Sequence, residues 1–151
     1  MGLDMYLYKK TVVKNWNHMK PEEKYSISVK KNKKSTHIQT KRISEVVEDI
    51  GYWRKANAIH KWFVDNVQNG LDDCKEYYVE RDALRVLLGK VQQVLREPEI
   101  APNVLPTESG FFFGSTDYDE YYFEDLKHTE KLLKDILAEP EGGSIYYHSS
   151  W

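Results

Sequence analysis

Trp53, Asn57 and His60 lie in one dense stretch, Tyr52-Trp53-Arg54-Lys55-Ala56-Asn57-Ala58-Ile59-His60-Lys61-Trp62-Phe63. On a helix, at about 100° per residue, Trp53, Asn57, His60 and Val64 form one row beside the apolar stripe. Such a row suits a cleft wall. An indole stacks on a planar ring. A carboxamide matches a base-like edge with one donor group and one acceptor. An imidazole donates to a phosphate or works as a general base. Trp53 and His60 are two helical turns apart, roughly 10 Å, which is the length of a nucleotide. Arg54 and Lys55 add positive charge to that wall. The competing reading makes Trp53 and His60 border residues of the core, with His60 bonded to nearby backbone.

A second segment, Gly110-Phe111-Phe112-Phe113-Gly114-Ser115-Thr116-Asp117, is an apolar turn between glycines. It lacks the spacing and lysine of a P-loop and the third glycine of a dinucleotide turn. Asp117, Asp119 and Glu120 crowd the helix start that follows and repel a phosphate there, so acidic capping accounts for them better. The glycines allow close approach of backbone or ligand. Phe112, Ser115, Thr116 and Tyr118 are read as the wall facing Trp53, Arg54, Lys55, Asn57 and His60. Asp72, Asp73 and Cys74, with Asp117, Asp119 and His60, include metal-ligating residue types, but their spacing fits no metal motif. Nothing in the sequence joins Cys74 to His60 as nucleophile and base. No catalytic residue, metal or cofactor is assigned.

The elements that must carry these residues follow from periodicity. Leu3, Met5 and Leu7 alternate with Asp4, Tyr6 and Tyr8, predicting an interior strand. Tyr25–Lys30 and Thr36–Thr40, around the Lys31–Ser35 turn, predict a basic β-hairpin. Ile43, Val46, Val47 and Ile50 have helical spacing, with a break expected at Gly51. The strongest helix is predicted over Tyr52–Gln68, ended by Asn69-Gly70. Glu76–Val79 predicts a minor strand. Leu84, Leu87, Leu88, Val91 and Leu95 mark a helix that stops before Pro98. Pro98, Pro102 and Pro106 mark a loop of the length used for binding or as a lid. A last helix, capped by Ser115 or Thr116, carries Tyr122, Leu126, Leu133, Ile136 and Leu137 inward. Ile145–Trp151 closes the chain as a strand beside the first one. With no βαβ alternation, the class is α+β: a small, mostly antiparallel sheet of N-terminal strand, basic hairpin and C-terminal strand, with about three helices on one face.

The 151 residues fit one domain, 1–151, with 40% hydrophobic and 30% charged residues, enough for a core. No apolar run can span a bilayer, no signal-peptide pattern opens the chain, and the single Cys74 rules out an internal disulfide. A cytoplasmic protein without membrane contact is expected. The net charge of −2 is uneven: residues 1–42 hold eleven Lys/Arg against three Asp/Glu, the remainder eleven against twenty-one. The lysines are read as protection of exposed strands rather than as a nucleic-acid surface.

The blocks Met1–Leu7, Tyr52–Asn57 with Ile59–Phe63, Gly110–Gly114 with Tyr118–Tyr122, and the Ser149-Ser150-Trp151 end resemble, over nearly the whole chain, a family of small uncharacterised proteins of phages, prophages and bacteria. The resemblance implies no activity and transfers no catalytic residue. It implies a phage accessory role, and small phage proteins of this kind often counter host defence by sequestering nucleotide immune signals. The expectation is therefore a ligand-binding protein, a homo-oligomer in the host cytoplasm, that holds a small nucleotide-like anion without turning it over. Two other readings stand beside it. One is a hydrolase or transferase using His60 with Asp72-Asp73 or Asp117-Asp119, with or without a metal. The other is an interaction module that docks a host protein through exposed tyrosines.

Overall fold

Alternation at the start of the chain builds the centre of a sheet. The computed structural model, which describes residues 2–151, places β1 (Asp4–Val12) between β2 (Glu45–Arg54) and β4 (Ser144–Ser150), with the short β3 (Tyr77–Val79) beyond β4. All three pairings are antiparallel. Met5 faces Ser149 and Leu7 faces Tyr147, so the first and last strands are neighbours, as their aromatic character predicts. Four helices complete the α+β fold: α1 (Asn57–Asn66), α2 (Arg81–Arg96), α3 (Ala101–Val104) and α4 (Glu120–Ala138).

The period of two gives the sheet a dry face and a wet one. Leu3, Met5, Leu7, Ile145 and Tyr147 are buried against Phe63 of α1, Leu84 and Val91 of α2, and Leu126 and Leu133 of α4. On the other face Tyr6, Tyr8 and His148 stack at centroid distances of 5.8–6.5 Å, with Tyr52 tilted against Tyr6. The tyrosine pairs divide between the two environments: Tyr147 and Tyr122 are buried, whereas Tyr78 and Tyr121 are exposed.

Several expectations are corrected. Residues 45–54 form a strand, not a helix. Val46, Val47 and Ile50 have helical spacing and do not alternate, but β-branched side chains favour the extended chain and pairing with β1 fixes it. Gly51 marks no helix break but a β-bulge: Leu7 faces Gly51 and Tyr8 faces Asp49, which leaves Ile50 unpaired. The long helix begins at Asn57 rather than Tyr52. The basic hairpin does not join the sheet. Residues 13–44 make two 3-10 turns, Pro21–Glu23 and Thr40–Arg42, and one bridge between Lys31 and Lys34, with Lys30, Lys31, Lys33 and Lys34 exposed. The proline loop is no lid. Ala101 and Leu105 are buried, and the Leu105 carbonyl accepts from Tyr122 Oη at 2.7 Å. Asp119, not Ser115 or Thr116, caps α4, accepting from the Tyr122 amide at 3.1 Å. No helix among the described residues is long and apolar enough to cross a membrane.

Candidate functional site

The chain turns sharply from β2 into α1. Lys55 takes a left-handed conformation (φ 55°) at that corner, and its amide donates to the Leu3 carbonyl at 2.7 Å while the Leu3 amide donates to Phe112 at 2.9 Å. Asn57, at the first turn of α1, then holds the 108–115 strap. Its Nδ2 donates to the Phe113 and Ser115 carbonyls at 2.9 and 2.8 Å, and its Oδ1 accepts from the Glu108 amide at 3.0 Å. The strap must turn tightly to reach it. A Cβ on Gly110 would lie 2.7 Å from the Phe113 ring, and Gly114 sits at φ +82°. The segments from residues 3, 55 and 112 thus meet around the start of α1.

This arrangement divides the single cleft expected from the sequence in two. Arg54, Lys55, Asn57 and Ser115 line a first cleft, His60 and Phe112 a second. Thr116 and Tyr118 line neither; Thr107 bonds to both, through Thr116 O at 2.9 Å and Tyr118 Oη at 3.2 Å. Trp53 is corrected most strongly. It stands opposite Met5 in the β2–β1 register and is 2% exposed. Its Nε1 donates to Thr129 Oγ1 at 2.8 Å, and its ring meets Phe63 edge-on. No face of the indole is open to a ligand. Asn57 likewise cannot read a base edge, because both ends of its carboxamide are bonded within the fold.

His60 is fully buried between Tyr147 Oη, 2.6 Å from Nδ1, and Asp72 Oδ2, 2.9 Å from Nε2. The tautomer follows from donor and acceptor capacity. The carboxylate only accepts, so Nε2 carries the proton. The phenol has no other acceptor among the described residues, so it donates to Nδ1. Burial, reinforced by the Asp72 carboxylate, holds the Tyr147 phenol well above its usual titration range and keeps it a donor. Asp72 Oδ1 accepts in turn from Trp151 Nε1 at 3.0 Å. With both nitrogens taken, His60 forms no nucleophile–base pair with Cys74 and has no lone pair for a metal. Asp73 accepts instead from Tyr77 Oη at 2.8 Å. Among the described residues no group of three or more His, Cys, Asp or Glu side chains is placed to hold a metal ion.

The first cleft, about 340 Å³, opens where α1 begins. No side chain among the described residues caps that end, and the amides of Ala58 and Ile59 find no acceptor within the fold. Unpaired amides and the positive end of the helix dipole favour an anion. Lys55 has no ion-pair partner among the described residues, whereas Arg54 is bound to Asp4 at 2.8 Å. Exposed Tyr121 stands on the rim.

Asp125, on the α4 side of the same cleft, is a residue that sequence reasoning missed. Its position beside Leu126 gives no sign of partial burial, which arises only when α4 packs over β2. Burial pushes its carboxyl up to about 6, the neighbouring His128 opposing. A folded-state value above the usual 3.8 means that Asp125 favours the fold most below pH 4 and loses that contribution as the pH rises through 6. Asp125→Asn is accordingly expected to leave stability unchanged at pH 4. Above pH 7 it should stabilise by about 1 kcal/mol, allowing for solvent screening of a half-buried group. Urea melts at the two pH values test this, and equal effects at both would refute it.

No family model, curated protein or solved structure matches the chain significantly.

Proposed function

We propose that the chain binds a small nucleotide-like anion in the first cleft and holds it without turnover. The observation that carries this reading is the uncapped start of α1, where two unpartnered amides lie beside Lys55. Tyr121, rather than Trp53, offers the ring for stacking. When protonated, Asp125 donates a hydrogen bond to the anion, so affinity rises as the pH falls through 6. Asp117 and Asp119 also line this cleft and oppose an anion; Asp119 is engaged as the α4 cap, which lessens its repulsion, and Lys55 offsets Asp117. The volume of the cleft falls in the usual range for small-molecule sites, about 300–1,000 Å³. Tyr121 on the rim can also meet a second copy, and a homo-oligomer is part of this reading. The resemblance to phage proteins makes capture of a host nucleotide signal, an anti-defence role in the host cytoplasm, the biological purpose.

The test is a panel of nucleoside monophosphates, cyclic mononucleotides and cyclic dinucleotides, followed by heat release and chromatography. One ligand is expected to bind and return intact, and Lys55→Ala should weaken it about tenfold, in line with a charged hydrogen bond of roughly 1.5–3 kcal/mol. Loss of the native pH dependence in Asp125→Asn is expected in the same titrations. No binding across the panel would refute the proposal. Altered product in the chromatogram would favour the second reading, a hydrolase or transferase with Asp125 as its acid or base, since a carboxyl titrating near 6 suits proton transfer at neutral pH.

A further inference from the structure

The second cleft, about 470 Å³ between α1 and the strap, is built for the opposite charge. Its walls are aromatic. Phe113 meets Trp151 edge-on at 6.0 Å and His60 at 5.2 Å, while Phe112 meets Phe111 edge-on at 4.9 Å. Asp65, Asp72 and Glu108 line it with a single cation, Lys61. The Lys61 ammonium lies 3.2 Å from both Asp65 and Glu108, so its charge is spent on the rim. Three carboxylates against one ammonium leave the cavity negative.

The hydrogen bonds narrow the ligand further. Both Asp72 oxygens already accept, from His60 and from Trp151. Asp65 and Glu108 are engaged by Lys61. A primary ammonium seeks three acceptors and would compete with these donors for the carboxylates. A quaternary ammonium needs none. It requires negative potential and aromatic rings for its methyl groups to lie against, and Phe112, Phe113 and Trp151 line the cleft beside the carboxylates. We propose that this cleft binds a quaternary ammonium group, recognised by Phe112, Phe113 and Trp151 under the field of Asp72, Asp65 and Glu108.

The inference is independent of the nucleotide reading, since its probes carry the opposite charge and its residues line the other cleft. Choline, ethanolamine and the neutral choline isostere 3,3-dimethyl-1-butanol are titrated against the full chain, with calorimetry and the Trp151 indole N–H resonance as readouts. Loss of one resonance in Trp151→Leu assigns it. Choline is expected to bind at least tenfold more tightly than either comparator. Trp151→Leu, at a position 45% exposed, should stay folded with a modest loss of stability from the Asp72 bond and weaken choline about tenfold per folded molecule. Glu108→Gln, which removes one of the three carboxylates and leaves Lys61 paired with Asp65 alone, should also weaken it. Phosphatidylcholine vesicles form a second arm. Binding to both assigns the ligand to a lipid headgroup, and binding to free choline alone assigns it to a soluble ammonium; either supports the proposal. Equal binding of the neutral isostere, tighter binding of ethanolamine, no choline response, or native affinity in both variants would overturn it.

Discussion

Trp53→Ala is expected to lower the unfolding free energy by about 3–5 kcal/mol, the range for truncating a buried aromatic, and to leave ligand affinity per folded molecule unchanged. The side chain is 2% exposed, packs edge-on against Phe63 and donates to Thr129. Its removal opens a cavity where the sheet, α1 and α4 meet, and it orphans no charged group. In a chain of this length each kcal/mol moves Tm by about 2–4 °C, so a fall of roughly 10 °C is anticipated. Trp53→Phe keeps most of the packing but loses the indole N–H and some volume, and should cost about 1–2 kcal/mol. Denaturant melts of both variants and a nucleotide titration of each at full folding provide the check. A Trp53→Ala protein that melts normally but binds weakly would return the indole to the cleft.

The burial of Trp53 also shows where sequence reading stops. Strand β1, strand β4, α2 and α4 are legible because each carries one clear period over its whole length. Residues 43–54 are not, because Ile43, Val46, Val47 and Ile50 fit a helical stripe and do not alternate as a half-buried strand would. Their assignment is decided by pairing with β1, a contact across some forty residues. Once β2 extends to Arg54, the row Trp53, Asn57, His60 cannot exist: its first member belongs to a strand and its others to a helix, with the left-handed Lys55 between them. The basic stretch carries correct local signals for a hairpin, Asn32 and Lys33 both adopting positive φ. No apolar face draws it onto the sheet. Asn57 and His60 were legible as polar residues near a cleft. That their hydrogen bonds are consumed within the fold was not, since the partners Phe113, Ser115, Asp72 and Tyr147 lie far away in the chain. Asp125 gave no local signal, because the largest cause of its altered titration is burial under packed elements, with His128, Glu124 and Asp119 acting less.

The chain of bonds from Tyr147 through His60 and Asp72 to Trp151 fastens β4 to α1 and to the loop after it. His60→Ala is therefore expected to destabilise by about 3–5 kcal/mol, from a cavity at a fully buried site plus the orphaned phenol of Tyr147. Tyr147→Phe, which leaves Nδ1 of His60 without its donor but preserves the 4.0 Å stacking on Phe63, should cost about 1–2 kcal/mol. The two effects should not add. With His60 already truncated, Tyr147 is a buried hydroxyl lacking a partner, and its removal becomes neutral or favourable. A double-mutant cycle should give a coupling of about 1–3 kcal/mol between the two positions. Additive losses would show that the phenol finds another partner, and would dissolve the assignment of Tyr147 as the donor to His60. A strong coupling in turn explains why a histidine stands fully buried beside a cleft: it transmits the position of β4 to Asp72, and so sets the wall of the second cavity.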